Sequence, residues 1–332
     1  MLALLATAAG CGCQAKDLTY AKRLLFAQPA GSQLHAVAES EVGLSFIVSV
    51  PDQTDYELQI VREGDSRGRL VNRSAGGLTV LPWADGRRVL VESRASKNDP
   101  SATVLRLLSF TGETRDVLLC ATPPSLSVGW NHATGESVIV VTRGADCSLP
   151  CDGSSIITLG PPDSIACIPL RFGIRVSSHP TTATLYWQDG EFLNWRANGR
   201  EVSSLGLPSS AALEPMPTLS TEAFRVIREG QSYSLTLAPD GGLGPPVPLT
   251  PYPSQWAVGR GNTVRVVNPT ADGLDYVEFS IDGGAFSGAG RQHLNIAPDQ
   301  FILSQQKGEP VLVWTEGNEG EFRVFGQRLL PQ

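Results

Sequence analysis

PVLVWTEGNEGEFRVFGQRLLP, residues Pro310–Pro331, holds two kinds of strand side by side. Val311 to Trp314 is a continuous apolar run, the pattern of a strand covered on both faces. A polar turn containing Gly317 and Gly320 follows. Phe322 to Arg328 then alternates apolar with polar residues, which suits a strand with one covered face. Together they make a hairpin whose first strand lies deeper than its second.

The same unit recurs upstream. Apolar second-strand candidates begin near Leu44, Arg87, Ser137, Thr182, Glu222, Asn262 and Pro310, at intervals of roughly 40 to 50 residues. FIVSV from Phe46 and VIVV from Val138 are as continuous as VLVW from Val311. Each run is followed by a turn, and most by an alternating partner: Tyr56–Arg62, Thr103–Phe110, Glu191–Ala197, Tyr233–Ala238 and Tyr276–Ile281. Asp189-Gly190 and Gly230 separate two of the pairs, and such residues supply the positive φ of tight hairpins. No stretch has the 3.6-residue period of an amphipathic helix.

This rhythm predicts an all-β fold, a β-propeller of about seven four-stranded blades. The last blade runs out of chain after a third strand, around Gln300–Ser304, Val311 and Phe322. Leu18 to Phe26 is an orphan strand at the other end, and pairing it into that blade would close the ring and remove its edges. The competing fold is a row of tandem β-sandwich domains, for which no Cys…Trp…Cys spacing recurs.

The final unit also resembles a repeat of secreted bacterial propellers. The N-terminus carries a second resemblance. MLALLATAAG precedes Cys11, and this stretch is shorter than the ~20 apolar residues that span a bilayer. It resembles the end of a bacterial lipoprotein signal peptide, with Ala8, Ala9 and Gly10 at the small positions before the lipidated cysteine. The resemblance implies a signal peptide over 1–10, lipid on Cys11, a tether over 11–17 and a propeller domain over 18–332. Cys13 is a second candidate acceptor. Gly12, where inner-membrane retention would have Asp, implies the outer membrane, with the domain on its periplasmic side or at the cell surface.

Cys120, Cys147, Cys151 and Cys167 agree with an oxidising compartment. The short loop between Cys147 and Cys151 suggests that these two pair, which leaves Cys120 for Cys167. Free buried thiols and a structural zinc site are the alternatives, although zinc sites favour two close Cys pairs.

Chemistry is sparse. With 26 Lys and Arg against 33 Asp and Glu, the net charge is −7, which argues against a nucleic-acid partner. Gly64-Asp65-Ser66-Arg67-Gly68 matches the nucleophile-elbow pattern but precedes a strand, not a helix, and reads as a hairpin tip. His35, His132, His179 and His293 are scattered. Asp272-Gly273-Leu274-Asp275 is the most metal-like loop and the one place where Ca²⁺ is conceivable, yet it lacks a full ligand series and turn chemistry explains it. The six tryptophans read as packing between blades. No catalytic, cofactor or metal set stands out. The expectation is a monomeric, envelope-anchored binding or scaffold protein that recognises a protein or glycan. The alternative is a carboxylate-dependent hydrolase or lyase acting on extracellular glycans.

Overall fold

A computed structural model of the chain forms seven four-stranded antiparallel sheets. It describes residues 20–330 apart from a set of connecting segments, most of them between residues 75 and 262. The first strand, β1 (Arg23–Pro29), belongs to the last sheet. Blade one is β2 (Gln33–Ser40), β3 (Gly43–Asp52), β4 (Asp55–Arg62) and β5 (Arg69–Ser74). Blade two is β6 (Leu78–Pro82), β7 (Arg88–Arg94), β8 (Thr103–Ser109) and β9 (Thr114–Cys120). Blade three is β10 (Ser125–Asn131), β11 (Glu136–Thr142), β12 (Ser154–Leu159) and β13 (Ser164–Ile168). Blade four is β14 (Arg175–Ser178), β15 (Ala183–Asp189), β16 (Phe192–Ala197) and β17 (Arg200–Leu205). Blade five is β18 (Ala212–Pro215), β19 (Glu222–Arg228), β20 (Gln231–Leu237) and β21 (Val247–Pro248). Blade six is β22 (Gln255–Val258), β23 (Thr263–Thr270), β24 (Gly273–Asp282) and β25 (Ala285–Leu294). Blade seven is β26 (Gln300–Gln306), β27 (Glu309–Asn318) and β28 (Glu321–Arg328), completed by β1.

The fold is a β-propeller, as the repeat predicts, and not a row of sandwiches. Each apolar run becomes the second strand of a blade. Where their side chains are described, such strands are buried on both faces because the blade packs between two others. In β27, Val311 and Val313 join a core with Phe46 and Val48 of blade one, while Leu312 and Trp314 join Val267 and Tyr276 of blade six. In β3, Ile47 turns the other way, toward Val89 and Val91 of blade two. Leu90 and Leu105 of blade two meet Ile139 and Ile157 of blade three. The first strands approach one another, β2 with β26 and β6, β10 with β14, and β22 with β26, so they surround the axis. Outer strands are the exposed ones, as in β5 and in residues 164–167 of β13.

The chain closes its own ring. β1 pairs antiparallel with β28, from Arg23 opposite Gly326 to Pro29 opposite Glu321. Leu25 and Phe26 are buried in the core shared by blades seven and one. Arg23 Nη1 lies 3.0 Å from Oε1 of Glu63 in blade one. Glu63 also accepts a hydrogen bond from the Leu44 amide. Lys22 forms an ion pair with Glu316 and sits 4.0 Å from the Phe325 ring centroid.

The cysteine pairing differs from the expectation. Cys120 is bonded to Cys147, with their Cα atoms 3.9 Å apart, in place of the Cys147–Cys151 and Cys120–Cys167 bridges. The cause is tertiary. Cys120 ends the outer strand of blade two, and Cys147, between β11 and β12, forms an isolated antiparallel bridge with it. The connection within blade three thus folds back on its neighbour, which loop length alone does not reveal. Cys167 is also disulfide-bonded, while Cys151 lies outside the described residues. Sulfurs bonded in this way are not thiolates, so the free-thiol and zinc alternatives fall for these cysteines.

Candidate functional site

Antiparallel order puts the second-to-third and blade-to-blade connections on one face of the disc. The first-to-second and third-to-fourth connections lie on the other. The richest polar cluster among the described residues stands on the first of these faces, at the end of blade six. Strand pairing sets Asn268 opposite Asp275 and Asp275 opposite His293, so three adjacent strands bring their side chains to one row. Asp275 is buried. It accepts hydrogen bonds from Arg291 Nη2 at 2.5 Å and His293 Nδ1 at 2.9 Å. Burial raises its pKa, but these hydrogen bonds and the Arg291 charge outweigh that and hold the carboxylate below its ordinary range.

The turn before it is tight. Thr270 pairs with Gly273, and Asp272 lies in the turn between them, where Thr270 Oγ1 donates to Asp272 Oδ1 at 3.0 Å. Gly273 is needed for close approach, because a Cβ there would lie 2.1 Å from the Leu294 carbonyl oxygen. That contact presses the hairpin onto the end of β25 and brings Asp272 Oδ2 to 3.7 Å from His293 Nε2.

The two aspartates of the metal-like loop and one of the scattered histidines thus meet. Eighteen residues separate Asp275 from His293, and only the register of β24 with β25 joins them, so no local motif announces the pair. Among the described residues, no three His, Cys, Asp or Glu side chains are placed to hold one metal ion. Gly64 lies in the link from β4 to β5 with φ 89°, in agreement with a hairpin tip. Trp314 is fully buried between blades. Side chains of the other tryptophans, His132, His179, Cys11, Cys13 and Cys151 lie outside the described residues.

His35 is a second histidine of note, half-buried. It falls at a bulge of β2, between Leu34 and Ala36, and its Nε2 is 2.8 Å from Ser49 Oγ. Burial lowers its pKa to about 4. The folded protein therefore holds His35 neutral at pH values where an unfolded chain would protonate it. This contribution is intact above pH ~6.5, the ordinary histidine value, and is lost as pH falls toward 4. Urea titrations at pH 7 and pH 4.5 are expected to differ by about 2 kcal/mol more in the wild type than in His35→Gln. Equal differences would show that the imidazole is not the group responsible.

The chain matches no protein-family model and no curated protein. Solved structures are similar to it in fold. One is an uncharacterized protein from Listeria monocytogenes, 10% identical, with 88% of this chain and 91% of that chain covered and a TM-score of 0.55. Another is the β-propeller domain of the Trilobed protease from Pyrococcus furiosus, 9% identical, covering 91% and 97%, TM-score 0.55, described as having an open velcro topology. A third is the acylaminoacyl peptidase from Pyrococcus horikoshii, 10% identical, TM-score 0.54; 90% of this chain corresponds to 52% of that one. At such identities the likeness establishes a propeller, and function must be argued from the residues.

Proposed function

We propose that this protein is an extracytoplasmic, lipid-anchored propeller that binds a protein or glycan ligand on the face carrying Asp272, Asp275, Arg291 and His293. The observation that carries the reading is the placement of this polar cluster relative to the N-terminal strand. β1 enters the disc where Arg23 faces Gly326, near the end of β28, so the chain arrives on the face opposite the cluster. A tether rooted at Cys11 would leave the polar face turned away from the membrane. The disulfides at Cys120–Cys147 and Cys167 support an oxidising compartment.

The enzymatic alternative needs convergent carboxylates with raised pKa values. Burial raises Glu92, but Asp116, Asp275 and Glu316 are all held low. That pattern suits fixed charges for recognition better than an acid poised to donate.

Two measurements test the reading. Fatty-acid labelling is expected to mark the wild type and not Cys11→Ala; equal label, or none in either, removes the anchor. A pull-down from the native envelope is expected to lose its partner with Asp272→Lys and keep it with Asp65→Lys, on the opposite face. Loss with both, or with neither, removes the assigned face.

A further inference from the structure

The end of blade six leaves two donor atoms facing each other, each held from behind. An ionised carboxylate only accepts hydrogen bonds, so the contact between His293 Nδ1 and Asp275 Oδ1, 2.9 Å, puts the ring proton on Nδ1. In the neutral imidazole Nε2 is then the lone-pair nitrogen. Asp275 is itself fixed by Arg291 through its other oxygen. On the second donor, Thr270 occupies Oδ1 of Asp272, and Oδ2 points toward the imidazole. The Nε2 to Oδ2 distance is 3.7 Å. Two donors bound at about 2.0–2.1 Å to one tetrahedral ion stand roughly 3.4 Å apart.

We propose that His293 Nε2 and Asp272 Oδ2 form a two-donor site for a divalent transition-metal ion of the zinc class, with its remaining coordination positions open to water or to a donor group of a bound ligand. Metal-binding histidines ordinarily donate their second ring N–H to a carboxylate or carbonyl, and ligating carboxylates are hydrogen-bonded in turn. Both supports are already built here, by residues on three adjacent strands. Asp275, Arg291 and Thr270 are positioning residues.

Asn268 gives an independent sign of something polar at this place. It is 2% exposed, and neither Oδ1 nor Nδ2 of its amide has a hydrogen-bond partner. A buried, unsatisfied amide calls for an explanation. It stands beside Asp275 on the same face of the sheet, so the row that positions His293 begins with an amide whose partner the described residues do not supply. Calcium suits the site poorly, because it takes six to eight oxygen donors and one of the two donors here is nitrogen. The loop thus points to a softer ion than its sequence suggests. This inference does not depend on the lipid anchor.

The test is calorimetric titration of Zn²⁺ into the chelator-treated full chain, with Co²⁺ absorption as the spectroscopic signature of tetrahedral binding. Each measurement is made in the wild type and in a Cys11→Ser, Cys13→Ser background that removes the N-terminal thiols. One ion per chain is expected. His293→Ala and Asp272→Asn should each weaken binding at least 100-fold, and Asp275→Asn about 10- to 100-fold. Asp272 is an exposed turn residue, so its variant keeps the parental melting temperature and separates ligand loss from misfolding. Absence of zinc uptake overturns the proposal. So does wild-type affinity in either His293→Ala or Asp272→Asn, which would reduce the 3.7 Å contact to a simple ion pair.

Discussion

A chain lacking residues 17–27 is expected to melt at least ~10 °C below the parent, in one transition across the disc. The deletion removes most of β1, and with it the outermost strand of blade seven. Leu25 and Phe26 leave a core they share with Phe46 and Val313, at about 1.5–3 kcal/mol for each side chain. Glu63, whose side chain is 1% exposed, loses the Arg23 guanidinium, and a buried carboxylate stripped of its ion-pair partner is an uncompensated charge. The backbone of β28 is left as an open edge. The loss spreads because the core is shared. Val311 and Val313 face blade one while Leu312 and Trp314 face blade six, so loosening blade seven loosens two neighbours. Thermal unfolding of the deletion and the parent, both with the lipid site removed, checks this. A parental melting temperature would mean that β1 is a dispensable tether and that the ring holds without it.

The repeat was legible in the sequence because propeller packing imposes a harsh condition on one strand per blade. The second strand touches cores on both sides, so polar residues are costly along it. Phe46–Val50, Val138–Val141 and Val311–Trp314 are the visible result. β1 was legible for the opposite reason, as a strand with no local partner, although its pairing runs to Pro29 and not to Phe26. The cysteines were not legible, since Cys147 meets Cys120 only when two blades stand next to each other. The Asp275–His293 pair was hidden likewise by strand register. Gly273 looks like ordinary turn glycine, and its real constraint is the Leu294 carbonyl at 2.1 Å from any Cβ. Local spacing carries local facts, and the chemistry of this disc is assembled between strands and between blades.

Arg265→Met is expected to destabilise the protein by about 3–5 kcal/mol, the usual cost of stripping one partner from a buried ion pair. Arg265 and Glu278 face each other across β23 and β24, with side chains only 7% exposed and Nε 2.9 Å from Oε1. The same Oε1 accepts from the Tyr276 hydroxyl at 2.5 Å, and Tyr276 is packed into the core toward blade seven. Removing the guanidinium leaves a carboxylate charge in that interface. Replacing both partners, Arg265→Met with Glu278→Met, in a Tyr276→Phe background that removes the hydroxyl bonded to Glu278, is expected to restore most of the loss, because apolar chains need no compensation. Tyr276 adds a pH signature. Burial and then the hydrogen bond and charge of Glu278 push its pKa far above the ordinary value. A raised tyrosine pKa keeps the phenol neutral in the fold while an unfolded phenol ionises near pH ~10. Its contribution is therefore complete below that value and lost as pH rises beyond it. Urea unfolding at pH 7 and pH 10.8 reads both effects. The wild type should lose more stability at the higher pH than Tyr276→Phe does. If the double replacement is as unstable as Arg265→Met alone, the cost lies in packing around the Arg265 stem and not in an uncompensated charge.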